Sequence, residues 1–535
     1  MKEMNIKGLL PKLTTLLILL GGVLLIFTYS IGIHIYDKYD FLEGVYWAEA
    51  TIESGGAPLS PNFYYQYTVP FGSNYLIAPF IMLLGPCLLA NQLGMFVYYI
   101  IYLVLIFRLA NQLFKDNYKY YFISISSLFI FTYVGDNMLH HILYYGIGFI
   151  SLLGLITSFI DIYREKNIKV NLFLVFVFSL LSASNGIAAI GISSFPIFVA
   201  IVLLAYENKN ALLNKDKKKY LSSLCTIAVS SLVGLVANFY VNNGMKIADD
   251  LNERLTLADC EQIAKNLTTE FIKDFLSLFI TNDTRPRLTT FGGVSSLFSI
   301  FFCLIFVAAS VISIKKIFKN TDCVTRFIYF SNIVTIIVCV FMHAISEASS
   351  ERYLFNAFLS LSILIAIYLF EKKDFFENSF FRTVLLFVSL FLVLQLSANI
   401  ITYDIKEEKN ERDFTNIILE NNLYYGFALP NDGYSLHIMS NGKINPAFMS
   451  ISRVNPVYRV CTVYGSNFEE NYLKPSNSDY FFVLASDEIY ELLEKEEFIN
   501  YKTDDIVIDY YHLFIYDVKY WDMFLDCFPP EQINK

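Results

Sequence analysis

Charged residues are scarce in this chain of 535 residues: 17% are Asp, Glu, Lys or Arg, while 55% are hydrophobic. Since about a quarter of an ordinary soluble protein is charged, the composition excludes that class and indicates a polytopic membrane protein. No basic patch accompanies the aromatic residues, so nucleic acid is not expected as a partner. The eight cysteines form no CxxC pair, which argues against a metal site made of thiolates.

Apolar runs are abundant, and many approach the length of about 20 residues that crosses a bilayer. They begin near Leu13 and recur until about Ile401. We count about eleven spans, among them Leu13 to Tyr36, Tyr120 to Val134 and Ile187 to Tyr206. We predict a transmembrane α-helical module over residues 1–401, with a large outer loop at 37–75.

The tail, residues 402–535, contains 23 acidic and 11 basic residues and no glycine-rich phosphate loop. This composition predicts a soluble domain of mixed α and β structure outside the membrane. Strands are expected near Tyr425–Leu429, Tyr480–Ala485 and His512–Tyr516, and Asn441-Gly442 suits a hairpin turn. Cys461 and Cys527 share this domain and could form a disulfide.

The distribution of basic residues predicts the orientation, because Lys and Arg near span ends stay on the cytoplasmic side. With the N-terminus inside, 21 bases fall on the inner side. The outer connections, apart from the long one after Val241, carry only Lys38 and Arg352. The 37–75 loop and the tail are therefore expected to face outside a cell membrane.

Three acids, Asp37, Asp40 and Glu43, follow the first apolar run within seven residues. Their spacing of three places them on one face if the segment is helical. They are either a solvated helix end or catalytic carboxylates at the membrane surface. Tyr64 and Tyr65 belong to an aromatic patch further along the loop, which suits either interfacial anchoring or a groove for lipid and sugar.

Other outer connections add polar groups at span ends. Asp136 with His140 or His141 could bind a divalent cation or hydrogen-bond a phosphate or a sugar hydroxyl, or could have a structural role only. A guanidinium just before a span can reach a lipid phosphate or simply contact headgroups. The arginines in such positions are Arg285, Arg287 and Arg352, the last within Glu351-Arg352-Tyr353.

This layout resembles the GT-C superfamily of membrane glycosyltransferases, which take sugars from polyprenyl-phosphate donors. The resemblance covers the acidic first outer loop, the multi-span body and the soluble outer tail. The run Pro70-Phe-Gly-Ser-Asn74 and the run Glu351-Arg352-Tyr353 look like landmarks of bacterial members. Many relatives have an adjacent Asp-Glu pair, whereas here Phe41-Leu42 separates Asp40 from Glu43.

The resemblance implies an inverting transfer of sugar from a polyprenyl phosphate to a glycan, lipid or protein of the cell envelope. Asp40, enclosed by Tyr39 and Phe41, would be the base, with Glu43 as the second choice. Arg352 would hold the donor phosphate, with Arg285 and Arg287 in reserve. Substrate contacts would come from Asp136, His140, His141, Tyr64, Tyr65 and Tyr353. The resemblance implies no particular cofactor, and a divalent metal is possible.

Two other classes remain open. A flippase or transporter for lipid-linked saccharides would place ionisable groups near the bilayer midplane, whereas these spans are nearly free of charge. A non-catalytic assembly protein could present the acidic tail to a partner.

Overall fold

The structure is a computed structural model. It describes residues 38–59, 64–65, 71–72, 74–114, 146–207, 216–247, 257–279, 291–316, 322–347, 350–371, 383, 387, 390, 405–448, 450–451, 458–459, 473–486, 489–490, 493–494, 497–508 and 511–527. These residues divide into two compact units. The helical unit takes those within 96–238 and 254–402, and the loop-and-tail unit takes those within 33–95, 239–253 and 403–535.

Most of the described residues are helical. In chain order the α-helices are α1 (Lys38–Glu53), α2 (Asn74–Leu84), α3 (Leu88–Leu113), α4 (Ile147–Tyr163), α5 (Ile168–Ser184), α6 (Ile187–Ile192), α7 (Ser194–Glu207), α8 (Asp216–Gly244), α9 (Cys260–Lys265), α10 (Phe271–Ser277), α11 (Phe291–Lys316), α12 (Cys323–Ile345), α13 (Phe355–Glu371), α14 (Ile405–Glu420), α15 (Pro430–Met439) and α16 (Trp521–Cys527). A π-helical turn, Asn266–Glu270, joins α9 to α10, and a 3-10 turn, Glu351–Leu354, precedes α13.

Among the described residues, four helical segments are long and apolar enough to cross a membrane. They are Leu88–Leu113, Lys218–Gly244, Cys323–Ile345 and Glu351–Tyr368. These segments are compatible with a membrane protein, and the predicted fold class is confirmed to the extent of a mostly helical chain with a small mixed sheet.

The predicted count of about eleven spans is not supported. Helices α4, α5 and α7 are apolar but have 17, 17 and 14 residues, and at about 1.5 Å per residue each is shorter than a hydrocarbon core of about 30 Å. A run predicted as one span, Ile187 to Tyr206, is divided between α6 and α7 at Ser193. Spans predicted at Leu13–Tyr36 and Tyr120–Val134 lie outside the described residues.

In chain order the described strands are β1 (Tyr64–Tyr65), β2 (Lys246–Ile247), β3 (Tyr425–Ala428), β4 (Asn445–Phe448), β5 (Ser450–Ile451), β6 (Tyr458–Arg459), β7 (Tyr480–Ser486), β8 (Lys502–Ile508) and β9 (Tyr511–Asp517). The tail contains a five-stranded sheet with the strand order β4-β3-β7-β9-β8, and β5 pairs with β6 in a separate antiparallel ladder. Strand β3 runs parallel to β4 and β7, while β9 runs antiparallel to β7 and β8. The three strands expected from the sequence are confirmed. Cys461 lies outside the described residues.

Strand β7 is buried on both faces, which explains its uninterrupted apolar sequence. Phe481 and Val483 point into a core that contains Phe427 and Trp521. Their neighbours along the strand, including Phe482, point into a second core on the other face. Because successive side chains of a strand point to opposite faces, β7 contributes side chains to both cores.

The predicted hairpin at Asn441-Gly442 is wrong. The segment closes helix α15 before the parallel strand β4, and the Gly442 N–H donates to the His437 carbonyl at 2.8 Å. Asn441 and Gly442 have φ values of 54° and 76°. Both a hairpin turn and a helix C-cap require positive φ, so the dipeptide marks the turn without specifying which element it ends.

We predict that Gly426→Ala destabilises the loop-and-tail unit by about 1–3 kcal/mol, because a Cβ there would lie 2.4 Å from the Phe482 carbonyl oxygen of the paired strand. The measurement is urea unfolding followed by tryptophan fluorescence, since both tryptophans, Trp47 and Trp521, belong to this unit. Gly191→Ala is the control, because its Cβ would meet nothing closer than 3.4 Å. An unchanged midpoint for Gly426→Ala would contradict the close strand approach.

Candidate functional site

Helix α1 carries Asp40 and Glu43, the two acids predicted to be catalytic. Asp40 lies in its first turn and Glu43 one turn further on, so the helical spacing expected from the sequence is present. Asp37 lies outside the described residues. Glu43 is 3% exposed, and the Trp47 indole N–H donates to its Oε1 at 3.2 Å. The fourth-residue spacing of these two side chains allows one turn of helix to hold the carboxylate.

A buried chain of hydrogen bonds ties α1 to the run Pro70-Phe-Gly-Ser-Asn74. The Thr51 hydroxyl donates to the Trp47 carbonyl at 2.7 Å and accepts from the Asn74 amide at 2.8 Å. Asn74 in turn accepts from the Gly72 N–H at 2.8 Å. Asn74 is fully buried, so these hydrogen bonds link the start of helix α2 to the acid-bearing helix α1.

The other side of α1 packs on helix α15 of the tail. The rings of Tyr46 and Tyr434 meet edge to face at 4.5 Å. His437 Nε2 lies 3.3 Å and 3.2 Å from the two carboxylate oxygens of Glu49. These partners are 388 residues apart in the sequence, and no local pattern connects them, so sequence reasoning missed this pair.

Geometry fixes the charge state of His437. Its Nδ1 lies 3.1 Å from the Ile444 carbonyl and its Nε2 lies against the carboxylate of Glu49, so both ring nitrogens face acceptors. Only the doubly protonated imidazolium donates to both. Burial lowers the pKa of His437, but the charge and hydrogen bond of Glu49, with smaller contributions from Ile444 and Asn445, raise the pKa above the usual 6.5.

The helical unit places Arg352 in the 3-10 turn Glu351–Leu354. The turn begins at Ser350, whose hydroxyl accepts from the Arg352 N–H at 3.4 Å. The Ser346 hydroxyl lies 3.3 Å from that of Tyr353. Glu351, Arg352 and Tyr353 are all partly exposed, so the predicted motif is an accessible, capped turn directly ahead of an apolar helix.

The long connection between α8 and α11 also reaches this turn. The Asn266 amide donates to the carbonyls of Ala344 and Ser346 at 3.0 Å and 2.7 Å. Asp274 of the same connection lies 2.8 Å from His343 Nε2. Neither contact was expected from the sequence, because no local pattern connects these residues with their partners.

The structure describes only some of the remaining predicted site residues. Tyr64 and Tyr65 form the short strand β1, which pairs in parallel with β2 (Lys246–Ile247). Asp136, His140, His141, Arg285 and Arg287 lie outside the described residues. Within the part of the chain that the structure describes, no group of three or more His, Cys, Asp or Glu side chains could hold a metal ion.

Comparison with protein-family models and with curated protein sequences gave no match to this chain.

We predict that the Glu49–His437 pair makes the stability of the loop-and-tail unit depend on pH. Because the folded-state pKa of His437 is raised, the stabilisation is complete below about pH 6.5 and is lost as the pH rises through the folded-state pKa. Glu49→Gln should cost about 1.5–3 kcal/mol at pH 6 and less at pH 9. Urea unfolding followed by tryptophan fluorescence measures both values.

The control for this prediction is Glu420→Gln, an acid-to-amide change at an exposed position of helix α14. It should leave the pH dependence of unfolding as it is in the wild type. If Glu49→Gln and the wild type lose stability in parallel between pH 6 and pH 9, His437 is not the titrating group.

Proposed function

We propose that this protein is a membrane glycosyltransferase that moves a sugar from a polyprenyl-phosphate donor to an extracytoplasmic acceptor of the cell envelope. The observation that carries the proposal is the setting of helix α1. Its acids lie on a helix fixed on one side by the Asn74 network and on the other by the tail. A solvated helix end would require neither, whereas a carboxylate that must meet a reacting atom requires a fixed position.

The proposed chemistry needs few protein groups. The acceptor hydroxyl oxygen attacks the anomeric carbon, the bond from that carbon to the phosphate oxygen breaks, and polyprenyl phosphate leaves with the electron pair. The hydroxyl proton passes to a carboxylate, for which we propose Asp40. The displacement inverts the anomeric configuration. Glu43, hydrogen-bonded to Trp47, is the second candidate and otherwise orients the loop.

Arg352 is proposed to bind the donor phosphate. A guanidinium is always charged and presents a planar fork that matches phosphate oxygens. Its 3-10 turn is capped by Ser350 and directly precedes the apolar helix α13, a position suited to a phosphate at a membrane surface. Arg285 and Arg287 are reserve candidates for the same contact.

The proposed membrane arrangement follows the charge distribution. It is a multi-pass chain in a cell membrane, with a cytoplasmic N-terminus and with the 37–75 loop and the tail outside, in contact with lipids and with a glycan, lipid or protein acceptor. Tyr353, Tyr64 and Tyr65 are proposed to contact substrate. Asp136, His140 and His141 are proposed to do the same, or to bind a divalent metal.

We predict that Asp40→Asn lowers sugar transfer by about 10²–10⁴-fold, the usual contribution of a positioned base. The assay measures transfer from a panel of polyprenyl-phosphate hexoses by membranes that contain equal amounts of each variant. Asp37→Asn is the matched control and should retain activity. An active Asp40→Asn protein would move the base to Glu43. Normal transfer with all three acids amidated would remove the enzyme hypothesis in favour of a transporter or an assembly protein.

We also predict that Arg352→Ala lowers transfer more than Arg352→Lys, because lysine keeps the charge but lacks the planar fork. Neither variant should reach the wild-type rate in the same assay. The comparison distinguishes phosphate binding from headgroup contact. A residue that only contacts lipid headgroups could be replaced by lysine without loss of activity. Wild-type rates in both variants would leave Arg352 as a membrane contact only.

A further inference from the structure

A second buried acid–histidine pair lies in the helical unit. Asp274 of helix α10 and His343 of helix α12 are 69 residues apart in the sequence, and Asp274 Oδ2 lies 2.8 Å from His343 Nε2. The side chain of His343 is fully buried and that of Asp274 is 9% exposed. Because the carboxylate accepts, Nε2 carries the proton and donates to Asp274.

The other ring nitrogen of His343 has no such partner. Nδ1 is buried and makes no hydrogen bond to any residue that the structure describes. With the proton held on Nε2, a neutral ring leaves a bare lone pair on Nδ1. A buried acceptor without a donor is unfavourable, and a donor such as a hydroxyl group would satisfy it.

The surroundings connect this pair to the Arg352 turn. Helices α10 and α12 both pack against the turn Glu351–Leu354. Asn266 holds the chain just after His343 through the carbonyls of Ala344 and Ser346. The ring of Phe271 lies edge to face against the imidazole, with the ring centroids 5.8 Å apart. A phenyl ring has no hydrogen-bond donor to offer Nδ1.

We propose that the Asp274–His343 pair is a binding position for a hydroxyl group of the donor sugar, which donates its proton to His343 Nδ1. Asp274 is the positioning residue, because it fixes the tautomer that leaves Nδ1 as an acceptor. No covalent step is involved. The inference rests on the proposed function only in identifying the hydroxyl as that of a polyprenyl-phosphate sugar.

The test compares two probes, farnesyl phosphate and a panel of farnesyl-phosphate hexoses, with full-length protein in detergent. Melting is followed with a thiol-reactive dye, since Cys303 and Cys339 are buried in the helical unit. In the wild type, at least one hexose probe should raise the melting temperature beyond farnesyl phosphate. The difference between the two probes measures binding of the sugar, separately from binding of the lipid phosphate.

The variants distinguish binding of the sugar from a purely structural contact between helices α10 and α12. Asp274→Asn keeps the shape but admits the tautomer that protonates Nδ1, so the sugar-dependent shift should disappear. His343→Phe should also remove it. His343→Gln, which offers both a donor and an acceptor, should retain part of it. Asp322→Asn, an acid-to-amide change at the N-cap of the same helix α12, should retain all of it.

Two outcomes overturn the inference. One is a sugar-dependent rise in melting temperature that is as large in Asp274→Asn and His343→Phe as in the wild type. The pair would then have a structural role only. The other is the absence of any sugar-dependent shift in the wild type. A shift that depends on His343 in a protein without transfer activity would sustain the binding position while the glycosyltransferase proposal fails.

Discussion

The loop-and-tail unit depends on the burial of helix α1, and that burial depends on a charge supplied from far along the chain. Glu49 faces the tail with its side chain 19% exposed, and α1 contains no basic residue after Lys38. A carboxylate withdrawn from water needs a cation or several donors. His437 of helix α15 supplies the cation, so docking of the two helices and protonation of one imidazole are linked.

Helix α1 is held by contacts besides this pair. The Asn74 network links it to the start of helix α2, and the aromatic contact of Tyr46 with Tyr434 links it to helix α15. Helix α15 is itself placed by the sheet, since it connects the parallel strands β3 and β4. The position of α1, and with it that of Asp40 and Glu43, therefore depends on contacts with the tail.

The two acid–histidine pairs use the same chemistry for different ends. His437 has acceptors at both ring nitrogens and is held as a cation, so its contact with Glu49 has a structural role. His343 has an acceptor at Nε2 and no described partner at Nδ1, which leaves a hydrogen-bonding position unused. The second arrangement is the one expected where a ligand completes the set of hydrogen bonds.

Local pattern was sufficient to predict some of the structure. Strands β3, β7 and β9 lie where the sequence predicted strands, and helix α1 meets the condition under which the spacing of Asp40 and Glu43 places them on one face. The same reasoning misjudged features that depend on length or on a distant partner. Apolar composition alone does not determine where a helix ends, so α6 and α7 were predicted as one span.

Only the tertiary structure brought together the residues that define the candidate sites. Glu49 meets His437 across 388 residues, and Asp274 meets His343 across 69. A sequence specifies each of these side chains but not the pairing, because a buried acid–histidine contact depends on how whole helices and strands pack and produces no periodic pattern in the sequence. Likewise, Asn441-Gly442 determined that the chain turns with positive φ, and the parallel partner β4 decided that the turn ends a helix.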